Sequence, residues 1–102
     1  MLIQTGANFR ALHPVGDEAV TFTATPGSGG LTLSKIGRCE ILVIRFAAGD
    51  GKVRMSDQPA SVTEGFDVYA GDTVFFSKFE AAVLTGVRGG ATNLEGWATY
   101  YA

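Results

Sequence analysis

Cys39-Glu40-Ile41-Leu42-Val43-Ile44-Arg45-Phe46 is the most apolar stretch of the chain, and its reading decides the fold. β-Branched and aliphatic residues run together through residues 41–44, which favours extended backbone. Both faces are apolar in the middle, so the segment reads as a central strand covered on each side.

Moving toward the N-terminus, Leu31-Thr32-Leu33-Ser34-Lys35 alternates apolar and polar residues and reads as a strand with Leu31 and Leu33 inward. Before it, Pro26-Gly27-Ser28-Gly29-Gly30 reads as a turn, because proline lacks a ladder donor and glycine tolerates positive φ. Residues 18–25, Glu-Ala-Val-Thr-Phe-Thr-Ala-Thr, put Ala19, Thr21 and Thr23 on one face and Val20, Phe22 and Ala24 on the other, the pattern of a half-buried strand.

Toward the C-terminus, Asp50-Gly51 predicts a tight hairpin with a return strand over residues 52–56. A polar loop with Asp57 and Pro59 follows. Residues 65–69 and 73–77, separated by Ala70-Gly71-Asp72, read as strand, turn and strand, and residues 82–88 and 94–101 read as a last pair joined by Gly89-Gly90-Ala91-Thr92-Asn93. Only residues 79–84 offer the start of a helix, as a single turn. Residues 1–16 are expected to form an N-terminal arm or edge strand, and residues 17–102 one domain. The expectation is an all-β, antiparallel, jelly-roll-like sandwich of about eight short strands.

Composition agrees with a packed domain. Of 102 residues, 46% are hydrophobic and 18% charged, unlike a disordered chain. Eight basic and ten acidic residues give a net charge of −2, and the basic ones are scattered, so no electrostatic footprint for nucleic acid is expected. There is no basic-then-apolar leader at Met1, and no apolar run of the roughly 18 residues that a membrane helix needs. Neither membrane association nor secretion is expected, and the single Cys39 cannot close an internal disulfide.

Catalytic chemistry finds few residues to work with. His13 is the one histidine, and Pro14 beside it favours a turn or surface position over a general base. Cys39 opens the apolar strand and is expected in the core. One His and one Cys cannot make a zinc site, and Asp50, Asp57, Glu64, Asp67, Asp72 and Glu80 lack the alternate spacing of a calcium loop. Residues 27–30 lack the Gly-Lys-Ser/Thr of a phosphate cradle. The expectation is therefore no enzyme, no cofactor and no metal. The adjacent pairs Phe75-Phe76 and Tyr100-Tyr101 point to opposite faces, so one member of each needs another layer, a loop or a partner over it.

Gly71-Asp72-Thr73-Val74-Phe75-Phe76 resembles the turn-and-strand phrase of cupin barrels, though the histidines of metal-dependent cupins are missing. A second resemblance covers residues 41–101. Val53-Arg54-Met55-Ser56, then Gly65-Phe66-Asp67-Val68-Tyr69-Ala70-Gly71-Asp72, then the closing Ala98-Thr99-Tyr100-Tyr101 resemble the small β-sandwich accessory proteins of tailed-bacteriophage particles, such as capsid decoration or cement proteins. That resemblance implies a non-enzymatic virion component, made in the host cytoplasm, that contacts copies of itself and a larger shell of major capsid or tail proteins.

Arginine and aromatic residues are the usual interface anchors, which makes Phe9, Arg10, Arg45, Arg54 and Tyr101 the expected contact residues. The alternative is a carbohydrate- or small-ligand-binding module with Trp97 or Tyr69 as a stacking platform. A third reading, a cupin-like isomerase, would use Glu40 or Glu95 inside a barrel.

Overall fold

A computed structural model describes residues 12–102. Seven strands and two short helices follow one another as β1 (Pro14–Phe22), α1 (Leu33–Gly37), β2 (Ile41–Ala48), β3 (Asp50–Met55), β4 (Phe66–Tyr69), β5 (Thr73–Ser77), α2 (Lys78–Ala82), β6 (Leu84–Arg88) and β7 (Leu94–Tyr101). Every strand pairing is antiparallel. One sheet has the order β1-β7-β2-β5 and the other β4-β3-β6, packed as a sandwich. This is the order that remains when the second strand of an eight-stranded jelly roll is removed.

The missing strand is the one expected over residues 31–35. Leu31 is buried, but Leu33 is 74% exposed and begins α1, where Ile36 takes the inward position instead. A short apolar alternation fits a helical turn as well as a strand, and here the tertiary setting chooses the helix. The preceding glycine-rich turn keeps a remnant of the strand, a single antiparallel bridge between Gly27 and Gly86 of β6. The Thr21 N–H of β1 also donates to the Gly29 carbonyl at 3.0 Å. This hook therefore ties the edge of one sheet to the edge of the other.

Alternation sorts the core. Val20 and Phe22 of β1, Leu42, Ile44 and Phe46 of β2, Phe76 of β5, and Leu94, Ala98 and Tyr100 of β7 are all buried against Val53 and Val68 of the smaller sheet. Removing each large apolar side chain from water contributes about 1.5–3 kcal/mol. The Phe22 and Phe46 rings, 6.5 Å apart, join β1 to β2 across β7.

Three expected connections are corrected. Asp50-Gly51 does not close a hairpin: the turn is made by Gly49 at φ +80°, and it sends the chain from one sheet to the other, so β2 and β3 are not partners. The segments flanking residues 70–72 and 89–93 likewise change sheets instead of pairing. Two-residue turn signals report reversal of the chain, whereas the choice of partner depends on which apolar face must meet the core. The central strand β2 has hydrogen-bonded neighbours on both sides, but among the described residues only its inner face is covered; Ile41 and Val43 are half-buried outside and Arg45 is exposed.

A helical turn does form after β5. Ser77 caps α2 by accepting from the Glu80 N–H, and the Glu80 carboxylate accepts from the Ser77 N–H, a complete capping box. The loop between β3 and β4 folds over the outside of the smaller sheet. There the Ala60 N–H donates to Thr85 Oγ1 at 2.9 Å, and outward-facing Val87 is only 2% exposed.

Candidate functional site

The larger sheet has no such cover on its outer face among the described residues. Register sets the residues of that face in rows: Ala19, Trp97, Arg45 and Thr73 in one, and Asp17, Thr99, Val43 and Phe75 in the next. Tyr101 and Ile41 share the row beyond. Directly opposed residues stand about 4.5–5.5 Å apart at Cβ, so Trp97 and Arg45 are immediate neighbours. Trp97 is 51% exposed, and a shallow depression of about 440 Å³ lies among Val43, Arg45, Trp97, Thr99 and Tyr101. The Arg45 guanidinium makes no hydrogen bond or ion pair among the described residues. An aromatic plane beside an unneutralised cation can hold a complementary surface through stacking, apolar contact and charge-assisted hydrogen bonds.

The remaining anchors expected from the sequence are distributed differently. Arg54 lies on the other sheet, where it pairs with Glu64 at 2.9 Å and donates to the Pro59 carbonyl, holding the β3–β4 loop in place. Phe9 and Arg10 lie outside the described residues. Tyr69 is exposed, but it belongs to the smaller sheet and so does not share a face with Trp97. Glu95 points outward on β7 and Glu40 is exposed just before β2, so neither faces the core.

Two strongly exposed apolar residues lie outside the set of contacts expected from the sequence: Phe79 of α2 at 82% and Leu33 of α1 at 74%, on helices that pack together. The Ser77-Lys78-Phe79-Glu80 spacing was the available signal, because a capping box fixes where the helix starts and puts Phe79 in its first turn. No equivalent signal marks α1, since Thr32 makes no side-chain cap.

The titratable groups most affected by their surroundings lie elsewhere, where β1, α1 and β7 meet. The Glu18 carboxylate accepts from the Tyr100 hydroxyl, from Thr32 N–H at 2.9 Å and from Thr32 Oγ1 at 2.8 Å, with Lys35 Nζ 3.8 Å away. Burial works to raise its pKa, but those hydrogen bonds and the lysine charge together outweigh it, and the carboxyl is held below its ordinary value. Tyr100 is pushed well above the ordinary phenol by burial first, then by its bond to the Glu18 carboxylate and that group's charge.

The Cys39 thiol is buried as expected, donates to the Ile36 carbonyl at 3.1 Å, and is likewise raised by burial, with Lys78 pulling the other way. A thiol in that position is a packed neutral group and not a poised thiolate. Among the described residues no three His, Cys, Asp or Glu side chains gather as metal ligands. Comparison of the chain with models of protein families, with characterised proteins and with solved structures finds no match.

Proposed function

We propose that this chain is a non-enzymatic structural component of a larger protein assembly, docking through the outer face of its four-stranded sheet. The accessory proteins of tailed-phage particles, which the sequence resembles, provide the concrete setting: a decoration, cement or head-tail fitting held to copies of itself and to a shell. The observation that carries this reading is the half-exposed Trp97 set directly opposite Arg45, whose charge has no partner among the described residues. Aromatic and arginine side chains at the centre of a flat face are the usual energetic anchors of protein interfaces.

The test has two arms: sedimentation of the purified chain alone, and its co-sedimentation with preformed capsid or tail assemblies from the same source. The expected result is a symmetric oligomer or a stoichiometric complex with the shell, lost in Trp97→Ala/Arg45→Glu while the circular dichroism spectrum is retained. A chain that stays monomeric and ignores the assemblies overturns the reading.

The depression beside Trp97 favours one other use of the same face, a stacking platform for a sugar or small ligand. Saturable quenching of the lone tryptophan on titration with glycans supports that alternative.

A further inference from the structure

The two open sides of the sandwich are finished differently. On the β1/β6 side the glycine-rich hook spans both sheets, bonded to Thr21 of one and Gly86 of the other. Gly29 fits so closely there that a Cβ would lie 2.5 Å from Val20 Cγ2. On the β4/β5 side the edges are joined only at one end, by the short turn over residues 70–72, and no segment among the described residues spans the rest. An apolar wedge of about 240 Å³ remains, lined by Val53, Met55, Phe66, Val68, Val74 and Phe76. Phe66 shows the consequence: it is paired with core residue Val53 and so belongs to the inward face of its sheet, yet it is 61% exposed.

The edge beside this wedge carries backbone groups without partners among the described residues. The Phe46 N–H donates to the Asp72 carbonyl and the Lys78 N–H to the Glu40 carbonyl, so residues 72, 74, 76 and 78 turn their backbone groups toward the β2 side. Those of Thr73 and Phe75 point the other way, where β5 has no neighbouring strand among the described residues. The Ser77 N–H on that edge is taken by Glu80, which leaves two donors and two acceptors at ladder spacing. The rim is acidic. Asp67 is paired with Lys52, but Asp72 uses only Oδ2, on the Tyr69 N–H, and its other carboxylate oxygen has no partner among the described residues.

We propose that the β4/β5 side is a β-strand addition site for a partner protein: an extended segment pairs with the backbone of Thr73 and Phe75 and sets alternate large apolar side chains into the wedge on Phe66. A lysine or arginine of the segment meets Asp72. Main-chain pairing supplies affinity and the wedge supplies selectivity, as in other strand-addition sites. The hook on the opposite side provides the internal precedent, an extended piece of chain closing the gap between two sheet edges. This site lies on a different surface from the Trp97–Arg45 face and does not depend on it.

The test uses the full chain, isotopically labelled, and a capped peptide Lys-Leu-Thr-Phe-Thr-Leu-Lys followed by NMR. The expected result is saturable shifts of the Thr73 and Phe75 amides with slowed hydrogen exchange there. Phe66→Glu should weaken binding at least tenfold with core resonances unchanged. Two further peptides, N-methylated on alternate residues, should differ by at least tenfold, because only one set of N–H groups faces the ladder. Equal binding of the two, or no amide shifts at all, overturns the proposal. So does self-association that Phe66→Glu abolishes and the peptide does not displace, which would assign the wedge to a second copy.

Discussion

The hydroxyl of Tyr100 on β7 donates to the carboxylate of Glu18 on β1, joining residues 82 positions apart. The same carboxylate takes both donors of Thr32 at the start of α1, so one side chain locks the last strand, the first strand and the connecting helix together. Glu18 belongs to the inward face of β1 with Val20 and Phe22, at the end of the sandwich where the core gives way to α1.

Acid should weaken the fold through this residue. Because its folded pKa is depressed, Glu18 contributes its full share above the ordinary carboxyl value of 4.5, and that share is lost as pH falls through the folded value. Urea unfolding from neutral pH down to about pH 3 should show the loss, and Glu18→Gln should flatten that limb. At neutral pH the substitution should cost about 1–3 kcal/mol, since it takes the charge from hydrogen bonds to Tyr100 and Thr32.

Base should act through Tyr100. Its folded pKa is raised, so its contribution is complete below the ordinary phenol value of 10.0 and is lost as pH climbs above it. Cys39, with an ordinary value of 9.0 and also raised, acts in the same direction from slightly lower pH. Tyr100→Phe should cost about 1 kcal/mol at neutral pH and remove most of the alkaline decline, measured by the same unfolding curves.

Gly86 should tolerate no side chain. A Cβ there would lie 2.5 Å from Phe22 Cδ1, in the ring that also meets Phe46. Gly86→Ala should destabilise by about 1–3 kcal/mol through overpacking. Pairing it with Phe22→Leu should recover part of that loss, a non-additivity that thermal unfolding of the two single variants and the double variant would measure.

The adjacent phenylalanines of β5 should separate cleanly. Phe76 is fully buried between the sheets whereas Phe75 stands on the outer face. Phe76→Ala should cost about 3–5 kcal/mol by leaving a cavity. Phe75→Ala should cost less than half as much, and calorimetry of the two variants compares them directly. Similar losses would mean that the outer face of the sheet is covered in solution.

Much of this architecture was legible from residue order. The alternation of Val20 with Phe22 predicts that the two share one face of a half-buried strand, and both enter the core. The apolar run over residues 41–44 predicts a central strand, and β2 does lie between β7 and β5, although that run does not show which of its faces meets the other sheet. Leu31 is buried as its place in the alternation predicts, but Leu33 is exposed, because five residues carry too little periodicity to separate a strand from a helical turn. Residue type alone marks Arg45 and Tyr101 as contact candidates, whereas the register that sets Arg45 beside Trp97 is a property of the pairing between β2 and β7.

The sequence by itself determined that this chain folds as an antiparallel β-sandwich, because alternation and turn chemistry are local and act wherever the segment lies. Only the tertiary structure decided which strands are partners, that a helix replaces the second strand, and which apolar residues stay outside. Those outcomes depend on contacts between segments distant in sequence: the Gly27–Gly86 bridge that closes one side, and the absence of such a bridge at Phe66 among the described residues. A chain's own order carries no direct record of distances between segments that meet only after folding.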